Sequence, residues 1–216
     1  GNGKKIIGID NLNSYYDINL KKSRLKILKQ YKHFKFIQID ITVYSKLNKI
    51  FDKQGIDEVV HLAAQAGVRY SLTNPDKFIR ANEVGFFNII DLSRKYKIKK
   101  FIYASSSSVY GNNDSPYSET QIVNNPINVY AKTKISNELM AKTYSNLYSF
   151  NSIGLRFFTV YGPWGRPDMA PMIFSKSIME RKPISIFNYG RMKRDFTFID
   201  DVVEVIFRCC KKPALN

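Results

Sequence analysis

Cysteine is nearly absent from this sequence: its 216 residues hold two, Cys209 and Cys210, side by side. Vicinal cysteines rarely pair, and two thiols make no metal cluster. A disulfide scaffold and a structural zinc site are therefore not expected, and no metal is assigned. A reducing, cytoplasmic setting fits best. Long apolar runs are also missing. None approaches the roughly 18 residues of a membrane-spanning helix, so no membrane partner is expected. The opening, Gly1-Asn2-Gly3-Lys4-Lys5, has neither an initiator Met nor the apolar stretch of a secretory leader. Acids are few: 18 Asp plus Glu stand against 34 Lys plus Arg, a net charge of +16. Such an excess points towards nucleic acid or another polyanion. The lysines are scattered, however, from Lys21, Lys22, Lys26 and Lys29 to Lys95, Lys97, Lys99 and Lys100, and on to Lys176 and Lys182. No RNA-binding motif accompanies them. Solvated lysine-rich faces are the plainer reading, and no nucleic-acid partner is expected. The remaining composition, 44% hydrophobic and 24% charged, is that of a globular chain long enough to bury a sizeable core.

Short apolar runs alternate with helical periodicity. Strands are expected at 5–10, 34–40, 57–62, 100–104 and 152–157. Helices are expected at 20–31, 45–51, 76–96, 128–148 and 201–210. In the long helix 76–96, Phe78, Ile79, Val84, Phe87, Ile90 and Leu92 are expected to point inward. This alternation predicts an α/β class: a Rossmann-like, doubly wound parallel sheet covered on both faces. After residue 160, Pro163, Gly165, Pro167, Pro171 and Pro183 loosen the pattern. The expected division is a partial nucleotide-binding domain over 1–158 and the start of a smaller substrate-binding region over 159–216. Ligands of such folds sit at the carboxyl ends of the strands. Asp10, Asp40, Ala63-Ala64, Ser105 to Ser108 and Phe157 to Thr159 all fall there.

Tyr130 and Lys134 stand at i and i+4, on one face of a helix. An ammonium beside a phenol stabilises the phenolate and makes tyrosine a usable base near neutral pH. The spacing alone is common, and the plainer reading is a surface aromatic beside a solvated lysine. The serine cluster upstream, at the end of a strand, tips the balance, because a hydroxyl there can bond both a substrate hydroxyl and the Tyr oxygen. Asp10 can accept both ribose hydroxyls of an adenosine, and its charge favours NAD over NADP. Its competing role is a helix N-cap. Asp40 with Ile41 can bracket an adenine, with the same competing role. Only nine residues precede Asp10, where a strand and a glycine-rich turn are expected. The sequence therefore reads as a fragment, expected to bind NAD poorly by itself.

Several segments carry a specific resemblance. They are Gly8 to Asn13, His61 to Ser71, Ala104 to Gly111, Tyr130 to Lys134, Leu155 to Pro163 and Lys193 to Asp201. The chain resembles an extended short-chain dehydrogenase/reductase of the nucleotide-sugar epimerase family. Gly162-Pro163-Trp164-Gly165-Arg166-Pro167-Asp168 is similar to the UDP-glucuronate 4-epimerase branch. The resemblance implies that Tyr130 takes the proton of the sugar 4-hydroxyl, that Lys134 holds the nicotinamide ribose, and that Ser106 shares the reacting hydroxyl. It places Asp10, Asn11, Asn13, Asp40, Ile41, Leu62, Ala63, Ala64, Asn82 and Phe157, besides Tyr130 and Lys134, on the NAD cofactor. It gives Arg194 the UDP diphosphate, a task suited to a bidentate fork. Thr159 and Arg166, then Arg69, are its candidates for the sugar carboxylate, and Ser107 lies beside Ser106 on the substrate. It also implies a homodimer through helices 76–96 and 128–148.

Two departures bear on the reaction. Dehydratase relatives carry an Asp-Glu pair directly after the active Ser or Thr, and decarboxylase relatives carry Glu at the second of those positions. Ser107 and Ser108 stand there instead. The expected activity is thus NAD-dependent 4-epimerisation of a UDP-hexuronate, an isomerase reaction that could feed polysaccharide synthesis. Another nucleotide-sugar epimerase, such as one for UDP-glucose, is the enzyme alternative. A non-catalytic NAD sensor would be expected to lack Ser, Tyr or Lys.

Overall fold

A computed structural model describes residues 3–211. Every strand pairing in it is parallel. Strand β1 (Ile6–Asp10) runs beside β2 (Phe34–Gln38), with Ile6 opposite Phe34 and Asp10 opposite Gln38. Strand β4 (Lys100–Ala104) lies between β3 (Glu58–His61) and β5 (Ser152–Leu155). Strand β6 (Thr159–Tyr161) pairs with β7 (Phe196–Phe198). Parallel neighbours need crossover connections. Helix α1 (Ile18–Leu28) supplies one between β1 and β2, and α6 (Val129–Tyr148) supplies one between β4 and β5. Helix α2 (Tyr44–Gln54) follows β2 and ends on Gly55, whose left-handed backbone (φ +56) closes it without a Cβ penalty. The fold is Rossmann-like α/β, as the alternation predicted.

The described residues divide into two compact units. One contains the chain up to Gln38 together with Thr159–Val203; the other contains Ile39–Phe158 together with the residues from Glu204. The core belongs almost wholly to the second. Leu47, Phe78, Phe86, Ile90, Leu92, Phe101 and Ile102 are essentially inaccessible there. Each such side chain contributes about 1.5–3 kcal/mol through burial. Phe86 anchors an aromatic cluster, with His61, Phe101 and Tyr103 ring centroids 5.5, 5.8 and 5.3 Å away.

The long helix expected over 76–96 is interrupted. Helix α3 (Val68–Thr73) precedes it, and Asn74 breaks the chain there. Helix α4 (Pro75–Phe78) then passes into a π-helical turn (Ile79–Val84) before α5 (Gly85–Lys95). A π turn inserts one residue and shifts every later side chain around the axis. Phe86 and Ile89 therefore face the core, whereas Ile79, Val84 and Phe87, expected inside, are 36%, 45% and 42% exposed. Two further elements differ from the expectation. Strand 152–157 ends at Leu155, and the chain re-forms as β6. Helix α7 (Ala170–Met179) occupies a stretch read as loose because of its prolines; Pro171 sits in its first turn, where no helical N–H is needed.

Candidate active site

In the second unit, α6 starts where Asn128 caps it, its side chain accepting from Ala131 N at 2.8 Å. Tyr130 lies in the first turn and Lys134 one turn on. The Lys134 ammonium lies 5.9 Å from the centre of the Tyr130 ring. It is buried and donates to Ala104 O at 2.8 Å. Two N–H groups remain for other acceptors. Burial lowers the Lys134 pKa to about 8. Phe78 meets the Tyr130 ring edge-on at 6.2 Å.

The serine turn leaves β4 just beyond that contact. Ser105 N donates to Leu155 O and Ser107 N to Phe157 O, both at 2.8 Å, so the ladder continues through the turn. Ser106 is buried between them and caps the short 3-10 helix Ser107–Tyr110, accepting from Ser108 N at 3.2 Å. Its hydroxyl proton remains available for a second partner. Phe157, through its carbonyl, is one of the ties that hold the turn.

Around the end of β3, Leu62 is exposed while Ala63 and Ala64 are partly buried. His61 is buried among aromatic rings, and desolvation, with the nearby Lys134 charge, lowers its pKa to about 3. It is a neutral core histidine. Asn82, in the π turn, is almost fully buried. It accepts from Gln65 N at 2.7 Å and donates to Gln65 O and Thr133 Oγ1, each at 3.0 Å. With its amide oriented so that the nitrogen faces acceptors, Asn137 joins this group by donating to Asn82 O and Thr133 O at 2.8 and 3.1 Å. The network ties the β3 exit to α6. Asp40 acts as a local cap, accepting from Thr42 N and Thr42 Oγ1 at 2.9 and 2.7 Å. Ile41 packs against Gly85, where an added Cβ would come 2.6 Å from Ile41 Cδ1. Its carbonyl accepts from Asn88 Nδ2 at 2.9 Å. Arg69 is an exposed residue of α3.

In the first unit, Asp10 ends β1, and one of its carboxylate oxygens accepts from Leu12 N at 2.6 Å. Asn11 accepts from Asn13 N, and Asn13 accepts from Tyr15 N and from Lys21 Nζ. Lys21 is buried beneath the Tyr16 ring, and desolvation lowers its pKa despite the opposing Asp10 charge. Arg24 holds the segment after β6 by donating to the carbonyls of Trp164 and Gly165. Arg166 is not a free cation: Nε and Nη2 each donate to Asp168 at 2.9 Å, and Tyr15 Oη donates to the same carboxylate. Its bidentate fork, expected to be open for a ligand, already holds a partner. Thr159 opens β6, its N–H donating to Asp195 O at 3.3 Å. Arg194 is exposed and donates to Lys193 O at 2.9 Å.

Three side chains at the serine turn had no role assigned from sequence: Ser105, Glu138 and Arg156. Ser105 Oγ donates to Glu138 Oε1 at 2.5 Å, and Arg156 grips Glu138 with two nitrogens. Two signals could have found them. Glu138 repeats the four-residue spacing of Tyr130 and Lys134, and Arg156 is a lone charge in an apolar run.

A parallel α/β fold with Tyr and Lys one turn apart beside a serine turn defines a short-chain dehydrogenase/reductase type of protein. The chain belongs to the NAD dependent epimerase/dehydratase family, whose model matches residues 1–216. It is 52% identical over 213 residues to "Protein CapI" of Staphylococcus aureus, covering 98% of this chain and 64% of that protein. It is 47% identical to a UDP-glucuronate 4-epimerase of Thermodesulfobacterium geofontis, covering 93% of this chain and 62% of the relative. A solved structure of UDP-glucuronic acid 4-epimerase from Bacillus cereus, in complex with UDP-glucuronic acid and NAD, superposes with a TM-score of 0.91 at 35% identity. That match covers 97% of this chain and 67% of that one. The chain thus spans a little under two thirds of the length of these curated relatives.

Proposed function

We propose that the full-length protein is an NAD-dependent isomerase that interconverts UDP-glucuronate and UDP-galacturonate by epimerisation at C4 of the sugar. The observation that carries this reading is Lys134. It is buried, anchored on the carbonyl just before the serine turn, and shares a helix face with Tyr130. An ammonium is costly to bury, and the Ala104 carbonyl uses only one of its three N–H donors. Beside a phenol it favours the phenolate, which suits Tyr130 to take a proton from the sugar hydroxyl. Ser106 orients that hydroxyl from the turn.

The residues fit a dinucleotide. Asp10 keeps one carboxylate oxygen free of the Leu12 N–H, an acceptor suited to the hydroxyls of a ribose, and Lys134 has two further N–H donors for another ribose. Asn11, Asn13, Asp40, Ile41, Leu62, Ala63, Ala64, Asn82 and Phe157 are the other proposed cofactor residues. When bound, NAD supplies a reversible hydride acceptor. Tyr130 removes and returns the hydroxyl proton, while Lys134 holds its charge against the phenolate. Arg194, exposed and donating through Nη1 to the Lys193 carbonyl, suits the UDP diphosphate. Ser107, Thr159, Arg166 and Arg69 are the proposed sugar contacts. Exposed Val84, Phe87, Leu139 and Leu147 on the π turn, α5 and α6 support a homodimer through those helices. No helix among the described residues is long and apolar enough to cross a membrane. A cytoplasmic enzyme feeding polysaccharide synthesis is the setting we propose.

The pairing of Arg166 with Asp168 favours one second reading, a neutral substrate such as UDP-glucose, because the fork is already neutralised. One experiment separates the two. Full-length protein is incubated with NAD and either UDP-glucuronate or UDP-glucose, and the products are resolved. UDP-galacturonate is the expected product. UDP-pentose with CO2 would move the activity to decarboxylation and remove the argument from Ser108. Turnover of UDP-glucose alone would keep the chemistry and change the substrate.

A further inference from the structure

Glu138 has no part in the reading above. It lies one turn beyond Lys134 and two beyond Tyr130 on α6, so the three form one stripe. That stripe touches two successive residues at the exit of β4. Lys134 Nζ donates to Ala104 O at 2.8 Å, and Ser105 Oγ donates to Glu138 Oε1 at 2.5 Å. The next residue is Ser106. Arg156 holds the same carboxylate from the other side, with Nε to Oε1 at 3.0 Å and Nη2 to Oε2 at 2.9 Å. Its remaining nitrogen donates to Glu119 O at 3.3 Å, and its guanidinium lies 5.0 Å from the centre of the Tyr110 ring. The two side chains are only 17% and 18% exposed.

A largely buried ion pair adds little stability over an apolar pair of the same shape. Its value lies in direction. Carboxylate and guanidinium meet in one planar geometry, and a charge-assisted bond to Ser105 Oγ fixes that rotamer. A Ser105 drawn towards α6 fixes the extended backbone (Ser106 φ −158, ψ 147) from which the Ser106 hydroxyl is presented. The N–H groups of Ser105 and Ser107 are tied to Leu155 O and Phe157 O. Ser106 is thus set between three tethers.

We propose that Glu138, held by Arg156, is a positioning residue. It locks the serine turn against the helix that carries Tyr130, and so sets the spacing between the Ser106 hydroxyl and the phenol. The inference rests on the epimerase reading, in which those two groups act on one substrate hydroxyl.

The test uses full-length protein carrying Ser105→Ala, Glu138→Gln or both, assayed on whichever of UDP-glucuronate and UDP-glucose the unaltered protein converts. Steady-state rates are read well below each protein's melting temperature. Misplacing a reacting group costs up to about a hundredfold. The expected result is a kcat loss of about tenfold or more in each single variant, with KM within about twofold. The double variant should be no slower than the slower single variant, because both changes cut the same tie. Ser105→Ala removes one hydrogen bond and carries the test alone if Glu138→Gln fails to fold. An unchanged kcat with a lower melting temperature would reduce the pair to a structural strut and overturn the proposal. Losses that multiply in the double variant would also overturn it. Unaltered protein that converts neither sugar would overturn the epimerase reading and this proposal with it. Active protein with insensitive variants would overturn this proposal alone.

Discussion

At the scale of single residues, the charge on Lys134 has a thermodynamic signature. Desolvation lowers its pKa from 10.5 to about 8, so the folded state releases this proton before the unfolded chain does. Below pH 8 both states are charged, and folding carries the full cost of burying the ammonium. That cost fades as pH rises towards 10.5, where both states are neutral. A shift of this size corresponds to roughly 3 kcal/mol. The advantage of Lys134→Met over the unaltered protein should therefore be greatest near pH 7 and shrink by up to that amount near pH 10. Denaturant midpoints at the two pH values measure it, and parallel pH curves would contradict it. The Tyr130–Lys134 pair was legible in the sequence because four-residue spacing puts two side chains on one helix face. The burial was not legible. It depends on a carbonyl at position 104, thirty residues away at the end of β4, which no local pattern encodes. Arg166 shows the same limit: a cation is easily read, but its fork is filled by Asp168, two residues on.

Among the elements, the π turn decides which face of the long helix is buried. Its inward residue is Asn82, whose amide satisfies Gln65 N, Gln65 O and Thr133 Oγ1. Asn82→Ala takes the side-chain partner from Gln65 N and Gln65 O, while Thr133 Oγ1 keeps its bond to Tyr130 O, and each partner lost costs about 1–3 kcal/mol. The expected destabilisation is about 2–4 kcal/mol, read as a lower denaturant midpoint with an unchanged slope. A loss below about 0.5 kcal/mol would show that the network does not hold the β3 exit to α6. The parallel strands were legible as short apolar runs, and most helix positions as periodic ones. The π turn was not, because a regular 3.6-residue repeat was carried through Ile79–Val84, where the hydrogen bonds to Asn82 outweigh it. Val84 and Phe87, which that repeat would turn inward, lie exposed. Helix α7 was hidden for a different reason. Proline argues against a helix interior but is welcome in its first turn, and Pro171 stands there.

For the whole molecule, the +16 charge carries no structural signal of its own. Much of it is spread over exposed lysines, among them Lys99, Lys132, Lys176 and Lys182, which pair with Asp57, Glu83 and Glu180. Exposed pairs of this kind contribute about 0–1 kcal/mol each. The central proposal concerns the chemistry of the full-length protein, in which Tyr130 would take a proton from oxygen and the hydrogen on C4 would leave and return as hydride. The most direct measurement supplies the full-length protein with NAD and UDP-glucuronate deuterated at C4 of the sugar, in ordinary water. The account predicts that UDP-galacturonate retains the deuterium at C4. Replacement of that deuterium by solvent hydrogen would mean proton abstraction from carbon, and would contradict the role given to Tyr130.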